Sequence, residues 1–165
     1  MLTVAILAGT DPEPLAATFE ALVPATVAGV VADVLVVCPE PEALRGLCEP
    51  MGAALATPDA AHDALGEARG EWLMLIEAGA RPVEGWEQAV AAHLRPGARP
   101  ARFTIEGAEP FWRRLFGRPS RPLLAGFLLA MEGARAALRS APIGRLPVGR
   151  AAVTLSARLR IAPEA

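Results

Sequence analysis

Apolar residues in this chain fall into short continuous runs, and the segments between those runs have helical spacing. Continuous runs are typical of strands that are covered on both faces, and they occur at 2–7, 34–37, 53–56 and 72–76. Apolar side chains recur every three or four residues in the segments between them, which predicts helices at 14–23, 42–51, 60–69 and 83–94. Short strands alternating with helices predict an α/β fold with a mostly parallel sheet and helices on both faces.

Local signals place some helix ends. Asp59 is a predicted N-cap, and Gly70 is the predicted stop of the same helix. Beyond a Pro-, Gly- and Arg-rich connector the pattern is weaker. There it predicts strands at 103–105 and 153–159, a short amphipathic helix at 111–116, and a strand running into a helix at 123–131.

The composition narrows the class of protein. The 165 residues fit one domain, and the 53% hydrophobic content is ample for a core. No apolar run approaches the roughly 18–20 residues that cross a bilayer. Two cysteines are too few for a disulfide scaffold, and their spacing matches no zinc pattern. We therefore expect a cytoplasmic protein.

Charge divides the chain into two parts. Residues 1–94 carry three arginines against 14 acids, and residues 95–165 carry 13 arginines against four acids. A basic part attracts phosphates, anionic lipid or nucleic acid, but the two parts could equally neutralise each other within one fold. The sequence alone leaves both interpretations open.

A resemblance to a known family rests on three stretches. The segment 68–86 has the sequence ARGEWLMLIEAGARPVEGW. It resembles the central signature of glycosyltransferase family 2, which consists of a helix end, a strand and a metal motif. The opening, LTVAILAGTDPEPLAATFEALV, resembles the family's first strand and first helix. The late segment, IGRLPVGRAAVTLSARLR, resembles the end of one bacterial subgroup of short family members. The resemblance covers nearly all of 1–165 and implies the GT-A fold, with 1–94 as the nucleotide-binding half and 95–165 as the acceptor-side half.

The resemblance also implies a site. Nucleotides bind at the carboxyl ends of parallel strands, where a divalent cation, Mg²⁺ or Mn²⁺, bridges the diphosphate to carboxylates. The matching metal position is Glu77. The matching nucleotide positions are Gly9, Thr10, Asp11, Cys38, Glu40 and His62.

Most of the family's chemical motifs are altered in this chain. Glu77-Ala78-Gly79 replaces Asp-x-Asp, and Cys38-Pro39-Glu40-Pro41 replaces an acidic turn. Ala61 and His62 stand where the family often has Arg-Asn, and the stretch 140–144, which should supply the general base, has no acid. We therefore expect a nucleotide-sugar-binding protein whose transferase activity is weak or lost.

Several alternatives remain at this stage. Asp11 could simply cap the first helix, Glu77 could be a solvated loop carboxylate, and His62 could be a surface histidine. The chain could be a non-catalytic binding or scaffold descendant of the fold. A molybdenum-cofactor-type nucleotidyltransferase is a weaker match, because its Gly-rich basic loop is replaced here by an acidic one.

The segment 111–118 combines aromatic and basic residues. Arg113, Arg114 and Arg118 would suit an anionic lipid or glycolipid surface, which would place the protein at the inner face of the membrane. An ordinary helix with a basic outer face explains the same pattern. We expect no nucleic acid partner.

Overall fold

An eight-stranded sheet forms the centre of the computed structural model, which describes residues 1–106, 126–145 and 152–161. The strand order is β3-β2-β1-β4-β7-β6-β8-β5. The strands are β1 Leu2–Leu7, β2 Val31–Val37, β3 Ala54–Ala56, β4 Trp72–Glu77, β5 Ala80–Pro82, β6 Ala101–Glu106, β7 Phe127–Ala130 and β8 Val153–Ile161.

The first four strands pair in parallel and confirm the predicted runs. Val4 of β1 lies opposite Val34 of β2 and Met74 of β4. Side chains of β1 and β4 are buried at nearly every position, because helices cover both faces of this part of the sheet.

The other four strands curl the sheet. β7 is antiparallel to β4, β6 is antiparallel to β7 but parallel to β8, and β5 closes the edge antiparallel to β8. Four strand spacings would separate β4 from β5 by about 19 Å in a flat sheet. The two residues between them cannot span that distance, so the sheet must bend back towards β4.

Helices cover both faces, as predicted. One core cluster includes side chains of α1 (Pro12–Val27), α2 (Pro41–Cys48) and α4 (Trp86–His93). The opposite cluster includes side chains of α3 (Ala61–Gly66) and α5 (Met131–Leu138). Trp72 and Trp86 are both buried in the first cluster.

Two predicted helices have different ends. α3 begins after Ala60 without a side-chain cap, so the predicted N-cap at Asp59 is wrong. α3 ends at Gly66, four residues before the predicted stop at Gly70. The Arg135 side chain binds carbonyl oxygens at this helix end and in the loop that follows it. The guanidinium donates to the carbonyl oxygens of Leu65, Gly66 and Ala68 at 2.9–3.2 Å.

The predicted helix 83–94 is also shorter. It begins at Trp86, because the backbone N–H of Val83 donates to the carbonyl of Arg158 at 2.9 Å and continues the strand pairing of β5. The short strand β5 was not predicted. The predicted helix 111–116 lies outside the described residues.

The loop Ala68-Arg69-Gly70 fastens the amino-terminal edge of the parallel strands. Asp33 accepts hydrogen bonds from the Arg69 backbone N–H at 2.8 Å and from its Nε at 2.7 Å. The buried Thr3 hydroxyl donates to Asp33 at 3.2 Å and accepts from the Gly70 N–H at 3.1 Å. We call these four residues, Thr3, Asp33, Arg69 and Gly70, the amino-edge clamp.

No helix within the described ranges combines the length and the hydropathy that crossing a bilayer requires.

Candidate nucleotide site

A cavity of about 390 Å³ opens at the carboxyl ends of β1 and β4. Its described lining residues include two acidic ones: Leu7, Gly9, Asp11, Pro14, Glu77 and Ala78. The sequence predicted Gly9, Asp11 and Glu77 as site residues, and the structure brings these three together.

Backbone hydrogen bonds continue the parallel pairing just past the strands and so build the cavity rim. The N–H of Ala8 donates to the carbonyl of Val37 at 2.9 Å, and the N–H of Ala78 donates to that of Leu7 at 2.8 Å. The loops after these strands therefore leave the sheet at the same edge, which is where ligands bind in open α/β folds.

Asp11 has two roles at this rim. It is the N-cap of α1, and its Oδ1 accepts a hydrogen bond from the Glu13 N–H at 3.0 Å. The capping interpretation is therefore confirmed. Asp11 is also one of the residues that line the cavity.

Glu77 is the last residue of β4, and the turn that follows it has a fixed shape. Gly79 has φ of +93°, a left-handed conformation that favours glycine. Its N–H donates to the carbonyl of Pro14 at 3.0 Å and to the Thr18 hydroxyl at 2.9 Å. The second carboxylate of an Asp-x-Asp motif would have to stand at this position, where an aspartate would be strained.

The carboxylates present can be compared with what a divalent cation needs. Among the described residues, no group of three or more His, Cys, Asp or Glu could hold a metal ion. Mg²⁺ is usually bound through one or two carboxylates together with substrate phosphates. The described residues therefore do not fit a cation held by protein alone, but Glu77 fits one that a bound diphosphate also coordinates.

The other predicted site residues are not part of the cavity's described lining. Thr10 is exposed in the loop between Gly9 and Asp11. The Cys38 side chain is fully buried in the core, and that burial raises the pKa of its thiol. Glu40 is exposed at the N-cap position of α2, and His62 Nδ1 lies 3.2 Å from the Asp63 carboxylate in the first turn of α3.

The end of the stretch 140–144 lies near Leu7, one of the residues that line the cavity. Ile143 is buried in the same cluster against which Leu7 packs, and a Cβ at Gly144 would be 4.0 Å from the Leu7 side chain. This is the stretch from which the family resemblance implies a general base. Its residues carry no carboxylate.

Sequence reasoning missed Thr18, whose side chain is fully buried behind the cavity. The sequence did contain a sign of this unusual position. Thr18 lies at helical spacing from Leu15 and Leu22 and is therefore a polar residue on the apolar face of α1. The amino-edge clamp was not predicted as a structural feature either, although Arg69 and Gly70 belong to a segment that carries the family resemblance.

Comparison with known proteins gives a result at the level of structure. No family model and no curated protein matches the sequence. Glucosyl-3-phosphoglycerate synthase from Mycobacterium tuberculosis, crystallised with Mn²⁺, UDP and phosphoglyceric acid, is 14% identical with a TM-score of 0.62, and the match covers 100% of this chain and 72% of that chain. The same enzyme with Mn²⁺ and UDP-glucose gives 15% identity, a TM-score of 0.61, and coverage of 100% and 71%.

A second enzyme gives a similar result. Mannosyl-3-phosphoglycerate synthase from Rubrobacter xylanophilus is 14% identical with a TM-score of 0.59, over 100% of this chain and 68% of that chain. At such low identity the similarity establishes the fold. The chain therefore has the GT-A fold that its resemblance to family 2 glycosyltransferases implied.

Proposed function

We propose that this protein binds a nucleotide sugar at the carboxyl edge of its sheet and transfers the sugar only slowly. The observation that carries the proposal is the cavity itself, which brings Gly9, Asp11 and Glu77 together. Crystallised neighbours of the same fold contain UDP or UDP-glucose with Mn²⁺. The fold and the cavity thus favour the same class of ligand.

Each part of the cavity has a proposed role. The loop Gly9-Thr10-Asp11 would contact the nucleoside, and Glu77 would share a Mg²⁺ or Mn²⁺ with the diphosphate. That cation would supply charge stabilisation for the departing nucleoside diphosphate. Contacts from Cys38, Glu40 and His62 stay predictions, as does the division into a nucleotide half at 1–94 and an acceptor half at 95–165.

Slow transfer follows from two missing groups. General base catalysis contributes about 10²–10⁴-fold to the rate, and the stretch 140–144, whose end lies near Leu7, has no acid. Gly79 has no side chain, so Glu77 is the single carboxylate of the metal motif. A site built in this way can hold a nucleotide sugar while breaking its glycosyl bond poorly.

Calorimetry with a panel of nucleotide sugars, with and without Mn²⁺, tests the binding. Glu77→Gln should weaken binding in Mn²⁺ by about tenfold, since it removes the charge that faces the cation. Glu71→Gln is the matched control, because Glu71 is exposed beside the opposite end of β4. Absence of binding by the parent protein, or equal losses in the two variants, would contradict the proposal.

A nucleoside diphosphate release assay tests the slow transfer. We expect the parent protein to release nucleoside diphosphate slowly, but measurably faster than the uncatalysed background. Rapid release that disappears in Glu77→Gln would show an ordinary glycosyltransferase. Tight binding without release would instead establish the non-catalytic descendant that the sequence left open.

The charge of the rim bears on the nucleotidyltransferase alternative. Such enzymes bind a triphosphate through a basic loop, whereas Gly9-Thr10-Asp11 carries no cation and Asp11 caps α1. The described rim therefore favours a nucleotide sugar over a nucleoside triphosphate as ligand.

A second proposal concerns Arg113, Arg114 and Arg118, which lie outside the described residues. We propose that these arginines hold the protein at the anionic inner face of the membrane. Association with vesicles that contain anionic lipid should then fall steeply with added salt. Vesicle association that does not change with salt concentration would contradict this proposal, and so would the absence of association at low ionic strength.

A further inference from the structure

The buried hydroxyl of Thr18 joins two elements that line the cavity. The side chain is fully buried in α1, and its Oγ1 makes two hydrogen bonds. It donates to the carbonyl of Pro14 at 3.2 Å, one helical turn earlier, and accepts from the N–H of Gly79 at 2.9 Å. The second bond crosses from the first helix to the turn that follows Glu77.

The hydrogen bond between Thr18 and Gly79 connects two segments that line the cavity. Pro14 and Ala78, which line the cavity, lie in the two segments that the bond connects. The N–H of Ala78 is held by Leu7 and the N–H of Gly79 by Thr18 and Pro14, so both amides after Glu77 are fixed. Two fixed amides in succession hold the backbone at the end of β4, from which the Glu77 side chain extends.

A hydroxyl at this site is costly unless it is fully bonded. Buried polar groups are disfavoured without partners, and an aliphatic side chain would pack equally well on the apolar face of α1. What the threonine adds over an aliphatic residue is a second hydrogen-bond acceptor for the N–H of Gly79. Gly79 in turn keeps the left-handed conformation that turns the chain from β4 into β5.

We propose that Thr18 is a positioning residue for the nucleotide site. Its hydroxyl holds the Glu77–Gly79 turn against α1 and so sets where the Glu77 carboxylate meets a bound diphosphate. This inference rests on the proposed function for its ligand, but the restraint on the turn can be measured without any ligand.

Thr3 provides a matched control. Thr3 and Thr18 are the buried polar residues of the described ranges, and each hydroxyl both donates and accepts a hydrogen bond. Thr3 belongs to the amino-edge clamp, at the opposite end of the strands. Thr3→Val and Thr18→Val therefore remove the same group from equally buried surroundings, and only the second lies beside the cavity.

The test combines binding with hydrogen exchange. Thr18→Val should weaken UDP binding in Mn²⁺ roughly fivefold, the loss of about one hydrogen bond, and Thr18→Ser should restore it. Thr18→Val should also speed amide exchange in the segment 77–82 without ligand. Thr3→Val should leave both readouts at the parent's values while lowering the midpoint of urea unfolding.

The outcomes separate this inference from the proposed function. Parental UDP affinity in Thr18→Val, or equal weakening in Thr3→Val, would overturn the positioning role. If the parent protein binds no UDP, the proposed function fails. The rate of amide exchange then tests the restraint on the turn by itself. Faster exchange at 77–82 in Thr18→Val but not in Thr3→Val would then support the restraint, and unchanged exchange would overturn it.

Discussion

The two ends of the same parallel strands are built differently. At the amino-terminal edge, Thr3, Asp33, Arg69 and Gly70 bond to one another, and a Cβ at Gly70 would lie 2.4 Å from the Thr3 backbone nitrogen. At the carboxyl-terminal edge, the loops separate around a cavity of about 390 Å³. One end is closed by its hydrogen bonds, and the other is held open.

This difference bears on how the family resemblance should be interpreted. Ala68-Arg69-Gly70, which carries much of the resemblance, belongs to the closed edge and has a structural role. The altered motifs, Glu77-Ala78-Gly79 and Cys38-Pro39-Glu40-Pro41, follow strands at the open edge. The chain thus resembles the family where the fold requires particular residues and departs from it where the chemistry does.

The largest expected effect is at the closed edge. Gly70→Ala would place a methyl group 2.4 Å from the backbone nitrogen and hydroxyl of Thr3, where backbone has to move. We expect a loss of about 3 kcal/mol in the free energy of unfolding, measured by urea denaturation. Gly46→Ala is the control, since nothing lies within 4 Å of its Cβ in an exposed part of α2, and it should stabilise slightly. A small loss in Gly70→Ala would show that the closed edge is loosely packed.

The next effect depends on pH. Burial alone would raise the pKa of Asp33, but hydrogen bonds and charge from Arg69 outweigh it and hold that pKa below its ordinary value. A carboxyl group with a lowered pKa stabilises the fold above its unfolded pKa of about 3.9, and this contribution disappears as pH falls through the folded pKa.

Asp33→Asn should therefore cost about 1–3 kcal/mol at pH 7 and less at pH 3. Urea unfolding of parent and variant across this range measures the difference. Asp63→Asn, at an exposed carboxylate of α3, should change little at either pH. A difference in unfolding free energy between the parent and Asp33→Asn that stays constant with pH would show that the charge of Asp33 contributes nothing to stability.

A third prediction concerns the open edge. Gly79→Asp rebuilds the spacing of the family's metal motif, but an aspartate at φ of +93° costs roughly 1–2 kcal/mol. Gly79→Ala carries the same backbone strain without a carboxylate. We expect both variants to lose similar stability and neither to bind UDP more tightly in Mn²⁺. Tighter Mn²⁺-dependent binding by Gly79→Asp alone would show that the turn adapts and that the motif can be restored by one substitution.

The sequence was informative where periodicity determines structure. Continuous apolar runs such as 72–76 could be assigned to strands because both faces of the parallel sheet are covered. The short strand β5 could not, because Ala80–Pro82 is a strand only through its pairing with β8, which lies far away in the sequence.

The helix ends show the same limit. α3 stops at Gly66 because Asp33 and Arg135, both distant in sequence, bind the backbone of the loop that follows it. For the site, the family resemblance implied that Gly9, Asp11 and Glu77 would lie together at strand ends. Thr18 could not be assigned to the site, since its role depends on contact between α1 and a turn about sixty residues later.

The smallest expected effect separates the two roles of Asp11. Serine caps helices about as well as aspartate, whereas alanine does not, and loss of a cap costs about 1 kcal/mol. Asp11→Ser should therefore unfold in urea within about 0.5 kcal/mol of the parent, and Asp11→Ala should be about 1 kcal/mol less stable. If the carboxylate also contacts the nucleotide, both variants should bind UDP several-fold more weakly despite their different stabilities. Parental affinity in Asp11→Ser would assign Asp11 to the helix alone and leave Glu77 as the one carboxylate of the described rim that faces the ligand.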